Sequence, residues 1–182
     1  YIVFATIPVV IAGYFLNKHY PGGFRSILVI AWTTLGFGIF LAITDWLGMT
    51  VRRMEHIRLN DALVIGVFQV LALIPGTSRS GITMSAARLL GFERLDAARF
   101  SMLLSIPAIA GAGVLKGLEL YESGNAQLTS DALMAGGMSF AAALVAIMVM
   151  MSWLRRASFA PFVFYRVALG CVLLAIGYGF IR

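Results

Sequence analysis

The sequence predicts an all-α polytopic membrane protein with about five spanning helices and one re-entrant helical hairpin, built as a pseudo-symmetric, inverted repeat. Three observations lead there. Of 182 residues, 60% are hydrophobic and only 12% charged, and the mean hydropathy of +0.92 lies far outside the balance of a water-soluble domain. The apolar residues gather in blocks, several of them near the roughly 20 residues that a helix needs to cross a bilayer core. One further block is cut in two by Pro75-Gly76, which breaks a helix where a span should continue.

The elements follow in order. Residues 2–16 and 26–49 read as two spans joined by Asn17–Arg25, whose Pro21-Gly22-Gly23 is a turn. The joint Arg52–Asp61 is charged. Ala62–Ile74 is too short to cross and stops at Pro75-Gly76, and a second short helical piece covers about Ile82–Phe92. Two short halves around a Pro/Gly break form either a re-entrant hairpin over 62–92 or a broken crossing helix. Full spans resume at about 98–118, 132–154 and 160–181.

Charge separates the two readings, because Lys and Arg accumulate on the cytoplasmic side. With re-entry, Arg52, Arg53, Arg58, Arg88, Arg94, Arg99, Arg155 and Arg156 share one side against Lys18, Arg25, Lys116 and Arg182, a split of eight to four. A crossing segment gives seven to five, a weaker bias. Re-entry is favoured. The net charge of +6 sits in these short joints, with no basic run interleaved with aromatics, so nucleic acid is not an expected partner. The single cysteine, Cys171, excludes a disulfide framework within one chain and is expected to be a small buried apolar residue. Trp46 and Trp153 read as interfacial anchors.

The chain also resembles itself. Thr6-Ile7-Pro8 through Gly13 parallels Ser105-Ile106-Pro107 through Ala112, and each is followed by a joint, a long span ending Asp45-Trp46-Leu47 or Ser152-Trp153-Leu154, and an Arg-Arg pair at 52–53 or 155–156. The period is about one hundred residues. On this reading 1–182 is a single membrane domain comprising the end of a first repeat (1–60) and a second repeat (61–182) that holds the hairpin. The chain opens at Tyr1 already apolar, with no charged leader, so no signal peptide is read and the protein is expected to continue N-terminally.

Candidate chemistry concentrates in Pro75–Thr83 (PGTSRSGIT). An arginine at the bilayer centre costs about 2.5–3.5 kcal/mol on insertion scales and so calls for a partner, for which a phosphate is well suited. Arg79 can hold two oxygens through its planar fork. Gly76 and Gly81 admit close backbone approach, and the N–H groups opening the 82–92 half-helix point at the same place. Thr77, Ser78, Ser80 and Thr83 add hydroxyls, and Ser78, Ser80 and Thr83 are each candidate nucleophiles.

Residues 66–83 (GVFQVLALIPGTSRSGIT), 99–107 (RFSMLLSIP) and 158–166 (SFAPFVFYR) resemble the undecaprenyl-diphosphate phosphatases, the bacitracin-resistance family, across essentially all of the chain and over that family's C-terminal two thirds. The resemblance implies a multi-pass enzyme of the bacterial plasma (inner) membrane. It would hydrolyse a polyprenyl diphosphate to the monophosphate, recycling the lipid carrier of peptidoglycan synthesis. Its partners would be that lipid and the surrounding membrane lipids, with a homodimer left open. Ser78, Arg79 and Thr83 then match the family's phosphate-handling positions and are the expected catalytic residues, with Arg79 as the diphosphate clamp, and Gly76, Thr77, Ser80 and Gly81 are expected to bind the phosphate beside them. Gln69 and Arg166 are further candidates, Gln69 as a neutral hydrogen-bonding group or a packing amide, Arg166 as a snorkelling side chain or a phosphate contact.

The family's glutamate-rich hairpin and its histidine have no counterpart here. The eight acidic residues lie in joints or at segment ends, and His19 and His56 read as solvated loop residues away from the serine motif. No metal ligands are therefore assigned in this chain, and the divalent cation (Mg2+ or Ca2+) that the resemblance implies is expected to be held by the N-terminal part, leaving 1–182 inactive alone. The rival class is a polyprenyl-phosphate flippase or other transporter that binds the head group without cleaving it.

Overall fold

A computed structural model of the chain describes residues 1–19, 26–48, 51–122, 124 and 126–180; the Pro21-Gly22-Gly23 turn, Arg25 and Arg182 lie outside them. The described residues form α1 (Ile2–His19), α2 (Ile27–Leu47), α3 (Leu59–Val70), α4 (Arg79–Leu89), α5 (Arg94–Glu122), α6 (Ala126–Leu154) and α7 (Ala160–Gly177), with 3-10 turns at Met54–His56 and Leu71–Leu73. Five of these, α1, α2, α5, α6 and α7, are long and apolar enough to cross a membrane, whereas Leu59–Leu73 is not. The chain is an all-α, multi-pass membrane protein.

The hairpin closes on itself. Arg52, before α3, pairs with Phe92, after α4: the Val51 and Arg52 amides donate to the Gly91 carbonyl at 3.2 and 3.0 Å, and the Glu93 amide donates to the Arg52 carbonyl at 2.9 Å. Entry and exit of the segment are therefore neighbours, as re-entry requires. Arg52 ties the same base further, through a two-pronged bond to Asp61 (3.0 and 2.6 Å) and by lying 4.5 Å over the Phe92 ring.

The chain divides into two compact units, Tyr1–Leu104 with Ser158–Arg182, and Ser105–Ala157. In the first, α1 packs on α3, α2 on α7 and on α4, and α3 on α4. Its core is made largely of small residues, Ala5, Ala62, Ala86, Ala87 and Ala97, with Ile65, Phe92, Phe100 and Leu104. Small side chains let helix backbones approach where lipid supplies no hydrophobic drive. At Gly66 a Cβ would lie 2.3 Å from the Ala5 carbonyl oxygen, and at Gly170 one would lie 2.8 Å from Leu35 Cβ, so the α1–α3 and α2–α7 packing both depend on glycine. The second unit is the rest of α5 with α6, whose described side chains are almost all exposed, as lipid-facing surface.

Two expectations are corrected. Cys171 is exposed on α7 rather than buried, because the buried stripe of that helix is carried by Gly170 against α2. The half-helix after the break begins at Arg79, not Ile82: Ser78 caps it, so Arg79, Ser80 and Gly81 form its first turn.

Candidate functional site

The tip of the hairpin, Pro75–Ser78, is seated against α2 and α7. Thr33 Oγ1 lies 2.5 Å from the Pro75 carbonyl, which competes for its one proton with the Val29 and Ile30 carbonyls at 2.8 and 3.1 Å. Thr34 Oγ1 donates to the Gly76 carbonyl at 3.3 Å. Gly76 has φ +90, and a Cβ there would fall 2.2 Å from Thr33 Oγ1 and 2.5 Å from the Ile30 carbonyl, so only glycine fits.

From α7, Arg166 reaches the same tip. Its Nη2 donates to the carbonyls of Thr34 (3.3 Å), Gly76 (2.9 Å) and Thr77 (2.8 Å). It does not snorkel: a Cβ on Gly38 of α2 would stand 3.0 Å from Arg166 Cβ, so the glycine leaves the room in which the guanidinium turns inward.

Ser78 holds φ +66, ψ 112, a left-handed conformation unusual for a residue with a side chain. Its Oγ accepts the Gly81 amide at 3.3 Å and lies 3.4 Å from Ser80 Oγ. A Cβ on Gly81 would sit 3.3 Å from Ser78 Oγ and 3.9 Å from Arg166 Nη1, which places the serine hydroxyl, the first turn of α4 and the arginine around one small space. The opening amides of a helix, together with its dipole, favour an anion there.

The other candidates are placed as follows. Arg79, half-buried, donates through Nη2 to the Leu104 carbonyl on α5, and its Nε has no partner among the described residues. Thr83 is buried: its Oγ1 lies 2.7 Å from Ser101 Oγ and within 2.9 and 3.2 Å of the Arg79 and Ser80 carbonyls, so it braces the first turn of α4 from beneath. Thr77 is buried with Oγ1 unpaired among the described residues, and its carbonyl serves Arg166. Gln69 is fully buried with neither amide atom hydrogen-bonded to a described residue, and it makes no bond to the tip. His19 ends α1 and bonds the Phe15 carbonyl, and His56 is exposed in its 3-10 turn; neither approaches the serine motif through any bond.

Sequence reasoning did not single out Thr33, Thr34 or Ser101. A Thr-Thr pair inside an apolar span was a visible signal for the first two; Ser101 stood only inside a family string.

Arg79 and Arg166 share one further property. Each of the six ion pairs among the described residues lies elsewhere, so neither the Arg166 guanidinium at the tip nor the Arg79 guanidinium at the Leu104 carbonyl has a carboxylate partner among them. Uncompensated cations in an apolar layer are costly and mark a place for an anion.

Residues 1–172 match the family described as bacitracin resistance protein BacA. The chain belongs to that family. Among curated BacA-like relatives it is similar to undecaprenyl-diphosphatase 1 of Rhodospirillum rubrum, 52% identical over 179 residues covering 97% of this chain and 63% of the relative. It is also similar to an undecaprenyl-diphosphatase of Erythrobacter litoralis (54% over 147 residues, 81% of this chain and 51% of the relative) and to one of Ruegeria pomeroyi (48% over 180 residues, 97% and 67%). The chain thus spans between about half and two thirds of the length of these BacA relatives.

Proposed function

We propose that the protein hydrolyses a long-chain polyprenyl diphosphate, undecaprenyl diphosphate by the names of its relatives, in the bacterial plasma membrane. Water and the diphosphate give polyprenyl monophosphate and inorganic phosphate: an oxygen joins the terminal phosphorus as the bond to the bridging oxygen breaks. The observation that carries this reading is two arginines without a carboxylate partner among the described residues, Arg166, whose guanidinium bonds the hairpin tip, and Arg79, which opens α4 directly after that tip. They neutralise the phosphoryl oxygens, Ser78 and Ser80 with the first-turn amides of α4 orient them, and Thr83 with Ser101 holds that turn in place.

A divalent cation is part of the proposal, but the described residues do not fit one: no group of three or more His, Cys, Asp or Glu side chains among them is placed to hold it. No step is assigned to the ion. Chelation by EDTA is expected to stop turnover of the full-length protein.

The test is inorganic phosphate release from undecaprenyl diphosphate by the purified full-length protein, beside Arg79→Ala and Ser78→Ala. Turnover that falls at least about a hundredfold in each variant is expected, the usual size of losing one charge-stabilising donor. Retained turnover in Arg79→Ala would overturn the assignment, and binding of the lipid without any phosphate release would favour the head-group transporter instead.

A further inference from the structure

A second cationic site stands apart from the hairpin tip, at the charged end of α2. Asp45, in the last turn of α2, is met by two arginines. Arg94 Nε donates to its Oδ1 at 2.7 Å, and Arg88 Nε forms an ion pair with the same oxygen at 3.2 Å. The Phe159 amide donates to Oδ2 at 3.3 Å. Arg88 is fully buried and its remaining nitrogens are taken by the Phe92, Asp45 and Gly48 carbonyls. Arg94 uses only Nε, and its two terminal nitrogens make no hydrogen bond to a described residue.

Two guanidiniums on one carboxylate leave one positive charge over. The neighbouring acids do not cancel it, because Glu93 pairs with Arg53 (3.3 Å), Asp61 with Arg52 (2.6 Å), and Asp96 with Arg99 (3.3 Å) and the Met54 amide (3.0 Å). Arg94 and Asp45 form the polar end of a cavity of about 450 Å3 between α2 and α7, whose other walls include Trp46, Val163, Phe164 and Val167. Trp46 is 85% exposed and Phe164 77%, so the cavity opens on apolar surface. A guanidinium whose two terminal nitrogens are unused, at the end of a span, beside an exposed tryptophan and above an apolar wall, matches a lipid at the membrane–water boundary: phosphate on the cation, acyl chains along the helices.

We infer that this cavity binds the head group of an anionic glycerophospholipid, with Arg94 on the phosphate and Phe164 and Val167 along the upper acyl chain. The occupant is anionic rather than zwitterionic because the cluster carries a net charge of one, which favours an anionic lipid by about fivefold. The site is separate from the hairpin tip, and its occupancy is read without any hydrolysis.

The experiment is fluorescence quenching of the full-length protein in nanodiscs by brominated phosphatidylglycerol or brominated phosphatidylcholine at equal mole fraction, with Trp46→Phe isolating the Trp46 signal. Trp46 is expected to be quenched by the anionic lipid at several-fold lower mole fraction. Arg94→Ala should erase that preference, and Val163→Phe, which fills the cavity and leaves the charges alone, should weaken quenching by both lipids. Arg155→Ala, an exposed arginine outside the cavity and in none of the ion pairs among the described residues, should keep the preference. Equal quenching by both lipids in the unaltered protein, a preference surviving Arg94→Ala, or its loss in Arg155→Ala overturns the inference. So does displacement of the lipid by millimolar inorganic phosphate at matched ionic strength, which would make this a free-phosphate site.

Discussion

Arg166 Nη2 donates to the Thr77 carbonyl at 2.8 Å across 89 positions of sequence, joining the last helix to the tip of the hairpin. The bond does two things at once: it satisfies turn carbonyls that have left the helix ladder, and it brings a guanidinium to Gly81 and Ser78. Removing the side chain takes away both. Arg166→Ala is expected to lower phosphate release by about 10²–10³-fold. Arg166→Lys should recover only a minor part, since an ammonium keeps the charge but not the planar fork that spans several acceptors. Full recovery by lysine would mean that charge alone matters at this position.

Ser78 separates stability from activity. Its φ of +66 costs roughly 1–2 kcal/mol for a residue bearing a Cβ, and its hydroxyl returns about 1 kcal/mol as the cap of α4. Ser78→Gly loses the cap and relieves the strain, so its thermal midpoint in detergent is expected to stay within a few degrees of the unaltered protein. Ser78→Ala keeps the strain without the cap and should melt lower than Ser78→Gly. Both are expected to lose phosphate release, and an active Ser78→Gly would remove the hydroxyl from the mechanism.

How much of this was legible in the sequence depends on the range of the interaction. The spans were readable because each block meets the bilayer requirement by itself, and the break at Pro75-Gly76 because proline and glycine act locally. The start of α4 was set three residues late, since hydroxyl and glycine residues look like loop until the Ser78 cap is seen. The sequence leaves Arg166 between snorkelling and a phosphate contact, and its inward turn onto the hairpin carbonyls is visible only in the packing. It follows from Gly38 and Gly170 letting α7 press onto α2, a packing of residues more than a hundred positions apart. Thr83 was readable as part of the motif, but not its burial against Ser101, which depends on where α5 packs.

Gly76 is the position where the tip tolerates least. A methyl group there meets Thr33 Oγ1 at 2.2 Å and the Ile30 carbonyl at 2.5 Å, in a backbone conformation that already disfavours a side chain. Gly76→Ala is expected to lower the thermal midpoint markedly and to abolish turnover. Gly113→Ala and Gly136→Ala, where nothing lies within 4 Å, should be neutral or stabilising by up to about 1 kcal/mol as helix-interior replacements. Equal midpoints for Gly76→Ala and Gly113→Ala would show that the tip does not sit against α2 as described.

Thr83 and Ser101 test whether a buried hydroxyl pair supports the site from behind. Thr83→Val keeps the shape but leaves Ser101 without its 2.7 Å partner, a loss of about 1–3 kcal/mol in stability. Thr83→Ser retains the hydroxyl and is expected to keep turnover within a few-fold. If Thr83 contacted substrate through its methyl group rather than bracing the turn, serine would fail as badly as valine.

The base of the hairpin gives a pH dependence. Burial alone would raise the Asp61 carboxyl, but the bonds from Arg52 and from the Arg58 amide, with both guanidinium charges, hold it net below the usual carboxylate range; Arg52 is raised in turn, chiefly by its bond to Asp61. Asp61 opens α3 in the charged joint, outside the spanning helices. A carboxyl with a depressed folded pKa binds protons less readily folded than unfolded, so its contribution is complete above the unfolded value of about 3.9 and fades as pH falls through the folded one. The gap in thermal midpoint between the protein and Asp61→Asn is therefore expected to be constant from about pH 8 to pH 5 and to close below about pH 4. A gap that widens on acidification would reverse the sign of the coupling, and one that persists unchanged at pH 3 would place the Asp61 effect in packing rather than in the Arg52 ion pair.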